Sequence, residues 1–556
     1  MIPALTVPLL AIAQVVTFQN SPGGVDPQPA IGTATISGTV VNDVTNEPVR
    51  KARVSLLGPA GGQQPMAVTD ASGAFAFHKL PAGTFTVQAA KDGFDQERGL
   101  ILGDNQKQIT VVTDQNVAGV GLRLAPTGAI SGRLIDEIGD PAPYCQVSAI
   151  SADPPRQQRG SANSDDRGEY RISNLPAGRY LIYQQCHQTL AAPHPFMERG
   201  DPRTPVWAWI PGFYGGAEAG AGASALSLHE GEEVRGIDFR LKTTNAYAVE
   251  IAVVPDDQSV DLRRVSTRLV PRDPTLAGVA QYGIGRPNSG GPFRATGVIP
   301  GSYIAIADYQ DNEKRWHGEA PVDVGDAPPD LVRLALLGAM TVIGDADFGK
   351  SDESSVNEQN PMRGTVTLVP VDPSGGAPWG QGQIAADGTF TVGGMIPGRY
   401  RLQVNGGSMS IRSATLGGHD VSPLGFDIVQ GAPGPLHLVI STKQVQVQVS
   451  VSGVDQNSTG WLVLLPKGAT AGAMPMNPSM APIQNSSVPI SVPPGEYTAY
   501  ALECQQPWPV LNNAAILHDI ADLGKQVEVK DGSNTAVSVD LIGRDALKQA
   551  LDKDMR

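Results

Sequence analysis

A chain of 556 residues has room for roughly three to five domains. Its 64 Gly and 46 Pro lie among apolar stretches, which is the composition of a turn-rich folded chain rather than a low-complexity one. A formal net charge of −14 with no basic cluster argues against nucleic acid or an anionic membrane surface as a partner.

The first stretch, "MIPALTVPLLAIAQVV", is apolar but too short to cross a bilayer. Ala11-Ile12-Ala13 before Gln14 fits a signal-peptidase site, so residues 1–13 are expected to be a signal peptide. A basic n-region is missing, and a plain N-terminal strand is the alternative. No other segment could span a membrane. The expectation is an exported protein: periplasmic, outer-membrane-associated or extracellular. Beyond this point short alternating runs dominate, such as "TISGTVV", "VQVQVSVSV" and "VEVKDGSNTAVSVDL". That alternation predicts strands. Long amphipathic helices are scarce, the tail "GRDALKQALDKDM" being the best candidate.

One phrase recurs along the chain. It reads "DASGAFAFHKLPAGTF" at 70–85, "DDRGEYRISNLPAGRY" at 165–180, "NSGGPFRATGVIPGSY" at 288–303 and "AADGTFTVGGMIPGRY" at 385–400; a worn copy ends "VPPGEY" at 492–497. In the four full copies Gly sits at positions 4 and 14, and an aromatic at 6 and 16. The later glycines, Gly83, Gly178, Gly301, Gly398 and Gly495, are separated by 95, 123, 97 and 97 residues. A period near 96 is a domain rather than a solenoid rung. Each unit also opens with a strand-like run ("ISGTVVN", "ISGRLID", "YAVEIAV", "MTVIGDA", "VQVQVSV") and closes with another ("VGLRLAP", "GIDFRLK", "LVRLALL", "LHLVIST", "VSVDLIG"). About seven short strands per hundred residues describe a β-sandwich.

The phrase itself reads as a hairpin. The Asp-x-x-Gly turn needs positive φ, which Gly supplies. Tyr170 and Ile172 then point one way, and Arg171 and Ser173 the other. Ala177-Gly178 turn the chain, and Tyr180 starts the partner strand facing the same core. The fold expected is all-β, a tandem array of about five transthyretin-like or Ig-like β-sandwiches. The units run 33–125, 126–242 with an insertion at 187–228, 243–338, 339–443 and 444–543, followed by the tail 544–556. Short Pro/Gly linkers such as "LAPTGA" (124–129) join them.

The combination of "I-S-G-x-[VL]-x-[ND]" with "D-x-x-G-x-[FY]-x-[FI]-x-x-[LI]-P-x-G-x-[FY]" resembles the carboxypeptidase regulatory-like domain. That is a transthyretin-like (prealbumin-like) sandwich akin to Cna B-type and starch-binding-like folds. The likeness is good in units one and two, fair in unit four, and weak in three and five. The stretch "WIPGFYGGAEAGAGASALSLHEGEEVRGIDFRL" is also similar to a long insertion of large exported bacterial proteins with tandem copies of this domain. The resemblance implies the fold and a non-catalytic role, and says little of a ligand.

Catalytic signals are thin. His229-Glu230-Gly231-Glu232 contains a His-x-x-Glu spacing and His317 lies downstream, as in a zinc peptidase. However, the pair sits in a Gly-flanked acidic turn with no α/β domain to hold it. No Gly-x-Ser-x-Gly, P-loop or dinucleotide fingerprint occurs. His187 and His194 lie in a Pro-rich loop and read as solvated. "NSDDRGE" reads as a turn rather than a calcium loop. Hence no enzyme, no cofactor and no metal is expected. Lys51, Lys91 and Asn116 would be the players in a Cna B-type isopeptide bond, but the acid-containing box that assists it is not recognisable. Export permits a disulfide. Cys145 and Cys186 could pair or could be two reduced core thiols; Cys504 is then unpaired.

The insertion is the richest stretch. "HPFMERGDPRTPVWAWIPGFYGG" gathers Phe196, Trp207, Trp209, Phe213 and Tyr214 in a chain that is 5% aromatic. On a strand Trp207 and Trp209 share a face. Trp207, Trp209, Phe213 and Tyr214 are therefore candidate ligand-binding residues, able to stack on sugar rings or to hold a partner chain. The alternative, favoured because aromatics in the loops of β proteins usually pack, is that they cover the sandwich or wedge between units two and three. Two functions follow. The first is a non-catalytic structural or interaction scaffold at the cell surface or in the periplasm, with a surface protein as its partner. The other is carbohydrate binding through the insertion.

Overall fold

Alternating apolar residues give each opening strand one buried face, and the phrase that follows supplies a second strand to pair with it. The computed structural model describes residues 32–553 apart from short stretches, of which 187–203, 349–363 and 468–477 are the longest. The expected signal peptide lies outside the described residues.

In unit one the opening strand Ala34–Asn42 is central. It pairs antiparallel with the phrase strand Ala74–Leu80 (Gly38 opposite Phe75) and parallel with the closing strand Asn116–Leu124 (Val40 opposite Leu122). A second sheet faces it, in the order Met66–Val68, Arg53–Leu57, Gly83–Ala90, Gln106–Val111. The opening strands Gly128–Ile135, Thr243–Pro255, Met340–Asp347 and Val445–Ser452 have the same two neighbours, one antiparallel and one parallel. Units three and five, where the likeness to the family is weak, share the topology of the rest. The buried apolar residues fall into separate cores at 34–124, 130–241, 247–336, 340–440 and 445–539. Only short connections, 125–127, 241–242, 339 and 442–444, separate the closing strand of one unit from the opening strand of the next.

The repeated phrase is explained atom by atom. Asp70 Oδ1 accepts from the backbone N–H groups of Ser72 and Ala74 at 2.8 and 2.9 Å, and Asp165 Oδ1 from those of Arg167 and Glu169 at 2.9 and 2.8 Å. The turn glycines Gly73, Gly168 and Gly388 take φ of 73°, 74° and 88°. Their carbonyls accept from Val40, Leu134 and Ala346 of the opening strands at 2.9, 2.8 and 2.9 Å, so the turn is tied to the sheet it precedes. Where the second aromatic is Tyr, its hydroxyl donates to the carbonyl four residues back. Tyr180 reaches Pro176, Tyr303 reaches Ile299, Tyr400 reaches Ile396 and Tyr497 reaches Pro493, at 2.6 to 2.9 Å. Such a bond contributes on the order of 1 kcal/mol, and Phe85 shows that unit one closes its corner without it.

The opening "ISG" has its own cause. A Cβ on Gly38 would stand 1.9 Å from the carbonyl oxygen of Val120, and one on Gly132 would stand 2.0 Å from that of Ile237. Glycine lets the parallel closing segment lie against the opening strand.

The all-β expectation needs one addition. Four short α-helices occur among the described residues: α1 Gln96–Leu102, α2 Trp508–Leu511, α3 Ala514–Asp519 and α4 Arg544–Lys553, the last being the expected tail helix. They meet. Ile101 and Leu102 of α1, in unit one, enter a buried cluster with Val510, Leu511, Ile516, Leu547 and Cys504 of the fifth unit. Arg544 bridges to Asp104 at 3.1 Å and Lys548 to Asp43 at 3.6 Å across the same contact. The chain therefore turns back, with its fifth unit packed on unit one. No helix among the described residues is long and apolar enough to cross a membrane.

Candidate functional site

Within the insertion of unit two, Val206–Trp209 is an edge strand with an unexpected address. It adds to the sheet of unit three, with Trp207 opposite Asn245 and Trp209 opposite Thr243. The Gly212–Phe213 strand then pairs with Tyr183–Gln184 of unit two. One insertion is thus stitched into two sandwiches.

Its aromatics part company. Trp209 is 7% exposed and belongs to the core of unit two. Tyr214 is half-buried against that core, edge-on to Phe239 at 6.0 Å. Phe213, 2% exposed, lies 5.0 Å from the Tyr183 ring. Those two rings join Ile150 and Leu181 under Leu276 and Ala280 of unit three. Trp207, at 56% exposure, faces solvent. The structure does not bring the four rings into one exposed face: three pack and one remains outside. Phe196, His187 and His194 lie outside the described residues.

Cys145 and Cys186 are joined by a disulfide beside Trp209 in the unit-two core. Next to it a cavity of about 190 Å³, lined by Gln185, Cys186, Trp209, Tyr282 and Thr296, separates units two and three. That is small against the few hundred Å³ of an ordinary ligand pocket. Cys504 is free and buried at the contact of the first and fifth units, and burial pushes its thiol up to about 12. Such a thiol is inert in the closed molecule.

The His-x-x-Glu spacing is structural. Glu230 forms an ion pair with Arg98 of α1 at 2.6 Å, both side chains nearly buried, and so pins unit two to unit one. Glu232 Oε2 accepts from the backbone N–H of His229 at 2.7 Å, closing the turn. His317 lies in unit three. No group of three or more His, Cys, Asp or Glu side chains among the described residues is placed to hold a metal ion. Lys91 donates to the carbonyl of Arg50 at 2.9 Å and lies 5.6 Å from the centre of the Phe94 ring. Asn116 starts the closing strand opposite Thr35.

Sequence reasoning missed one titratable cluster. His317 pairs with Asp308 across the Gly301–Asp311 and Lys314–Val324 hairpin. Its Nδ1 lies 2.8 Å from Asp308 and its Nε2 3.2 Å from Glu319, with the side chain 5% exposed. Arg268 holds the other oxygen of Asp308 at 2.7 Å. Burial works to lower the histidine pKa, but the hydrogen bonds and charges of Asp308 and Glu319 outweigh it and raise the value above 6.5. A raised folded-state pKa contributes stability that is complete below the unfolded value and disappears as pH rises through the folded one. Unit three is therefore expected to lose stability from about pH 6.5 upward. In His317→Gln that portion of the pH dependence should vanish, a comparison to be read by thermal unfolding at a series of pH values.

Residues 35–120 match the family model of the carboxypeptidase regulatory-like domain. No curated protein matches the chain in sequence. Among solved structures, the Bacillus anthracis TIE protein is similar at 13% identity over 55% of this chain and 51% of its own, with a TM-score of 0.17. A streptococcal ancillary pilin is similar at 12% identity over 38% of this chain and 64% of its own, with a TM-score of 0.21. BcpA, the major pilin subunit of Bacillus cereus, is similar at 10% identity over 74% of this chain and 99% of its own, with a TM-score of 0.16. The chain spans about half the length of the first of these and under two thirds of the second. At superpositions this loose the likeness says nothing of what this chain binds.

Proposed function

We propose, on the premise that the first sandwich is a carboxypeptidase regulatory-like domain, that this protein is an exported, non-catalytic scaffold of five β-sandwich units that holds a fixed interaction surface. The observation that carries the reading is the way the units are fastened. An insertion strand of unit two completes a sheet of unit three, and an apolar cluster joins unit five to unit one. Such fastening suits a rigid presenting body, whereas an open string of domains would keep its default freedom of relative motion. The Cys145–Cys186 disulfide supports export, because disulfides persist in oxidising compartments.

The test is fractionation of the native host with alkylation of free thiols before denaturation. The expected result is a protein found outside the cytoplasm, with Cys145 and Cys186 protected and Cys504 modified only after unfolding. A cytoplasmic protein with all three thiols free would overturn the reading.

A second reading is favoured by one observation, the exposed Trp207 on an edge strand. A solvent-facing indole is a platform for a sugar ring. Carbohydrate binding there predicts that Trp207→Ala abolishes retention on a glycan panel, while Trp209→Ala, a core change, acts through stability instead.

A further inference from the structure

We infer that the cavity between units two and three binds one uncharged sugar ring, the terminal residue of a neutral glycan. The inference rests on the carbohydrate reading just given and extends it inward from Trp207. The last ring of the glycan enters the cavity, and the exposed indole stacks on the ring that follows.

Two units build the cavity. Unit two supplies Gln185, at the end of the strand Gly178–Gln185, then Cys186, and Trp209 of the insertion strand; unit three supplies Tyr282 and Thr296. The walls are fixed from behind. Cys186 is bonded to Cys145, Trp209 is packed in the unit-two core, and the Tyr282 ring stands at a steep angle to Tyr303, 5.7 Å between centres. The insertion strand, paired with Thr243–Pro255, fastens one wall to the other. A site formed in advance loses little freedom when it binds.

The size admits a single ring. A cavity of about 150 Å³ accommodates benzene, and this one measures about 190 Å³. Gly283 and Thr296, both exposed, border it on the solvent side, where a second sugar has to remain.

The walls select the chemistry. Gln185 is 6% exposed, and its carboxamide makes no hydrogen bond to another described residue. The indole N–H of Trp209, 7% exposed, makes none either. Buried polar groups are as a rule paired, and leaving one unpaired is costly. The carboxamide donates and accepts, the indole donates, and the Thr296 hydroxyl does both. No Asp, Glu, Lys, Arg or His is among the lining residues, so a charged ligand would shed its water without meeting a counter-charge. A plain hydrocarbon ring would leave Gln185 and Trp209 unpaired. A pyranose meets both demands, with hydroxyls for the polar groups and C–H faces for the rings of Trp209 and Tyr282. Trp207 stands two residues before Trp209 on the same strand. Like-facing residues along a strand are about 6.8 Å apart, a step comparable with that from one sugar to the next.

The experiment is calorimetric titration of the full, disulfide-bonded chain with the methyl glycosides of glucose, galactose, mannose and N-acetylglucosamine, and with glucuronic acid as the charged comparison. Retention on cellulose, starch and mannan is measured alongside. Gln185→Leu, Thr296→Val and Trp207→Ala are compared with wild type, and thermal unfolding controls for folding. Gln185→Leu removes an unpaired polar group from the interior, so it is expected to fold; the exposed Thr296→Val takes its place if it does not. Expected are saturable binding of at least one methyl glycoside, none of glucuronic acid, and a loss of about tenfold or more in Gln185→Leu, equivalent to about 1.4 kcal/mol. Trp207→Ala should keep the glycoside but lose polysaccharide retention. Retention that depends on Trp207, with glycoside binding absent or unchanged in the cavity variants, would overturn this inference and leave the Trp207 reading standing. Glycoside binding lost in Gln185→Leu, with retention indifferent to Trp207→Ala, would uphold the cavity and remove the indole from the site. A wild-type chain that takes up no glycoside and is retained on no polysaccharide would overturn both, the cavity then holding water only.

Discussion

Leu102→Asp is expected to part the first unit from the fifth while all five sandwiches stay folded. Leu102 and Ile101 are the unit-one members of a cluster otherwise built by the fifth unit. A carboxylate at Leu102, which is 1% exposed, gives up the apolar contact and buries a charge without a partner. The loss at the contact is on the order of 4 kcal/mol. Among what remains are the Gln505 N–H bond to the Ile101 carbonyl, long at 3.4 Å, and the ion pairs Arg544–Asp104 and Lys548–Asp43. The basic side chains of those ion pairs are 43% and 42% exposed, and solvent-accessible pairs contribute about 0–1 kcal/mol. They cannot hold the two units alone. Small-angle scattering should show a larger radius of gyration, and Cys504 should change from inert to rapidly modified by a thiol reagent. Unchanged scattering together with a still-protected Cys504 would show that the ends are held by something other than this cluster.

Gly38→Ala is expected to be the most damaging single-methyl change in unit one. The added Cβ would meet the Val120 carbonyl at 1.9 Å and the Phe75 ring at 2.8 Å. Neither neighbour is a flexible side-chain end, so the parallel ladder between Ala34–Asn42 and Asn116–Leu124 must open. Overpacking of this kind costs about 3 kcal/mol. Hydrogen exchange should show lost protection in those two strands, with the other units unaffected. Gly121→Ala is the control, since open space surrounds that position and no positive φ is required there. Equal behaviour of the two variants would mean that the closing strand can shift at little cost.

The fold was largely legible because strand alternation and turn chemistry are local. Asp165, Gly168, Tyr170 and Tyr180 announce their hairpin within 16 residues, and four repetitions of the phrase make the reading secure. The reason for the opening glycines was not legible, since Val120 approaches Gly38 from 82 residues away. Nor was α1, although Asp95 caps its first turn by accepting from Arg98 N and Gly103 ends it at φ 70°. Those signals lie in a stretch too short to show helical periodicity.

The candidate site was legible only as a list of residues. Periodicity put Trp207 and Trp209 on one side of a strand, but it carries no information about which sandwich ends beneath each ring. That the strand belongs to the sheet of unit three, and that Phe213 is roofed by Leu276, are facts about neighbouring units. For the same reason the role of Glu230, inside the His229-x-x-Glu232 spacing that suggested a metal motif, was not legible. Its partner Arg98 lies more than a hundred residues upstream, in another sandwich.

The contact between the two ends has a consequence for how such a chain can change over generations. An open string of sandwiches can gain or lose a unit at either end by duplication or deletion, because each member touches only its neighbours. Here a duplicated unit between the first and the fifth would have to fit a gap whose two sides already meet. A deleted one would leave α1 without its cover. The number of units from the first to the fifth is therefore constrained as a set, and within it exchange of one sandwich for another of the same span is easier to accommodate than gain or loss.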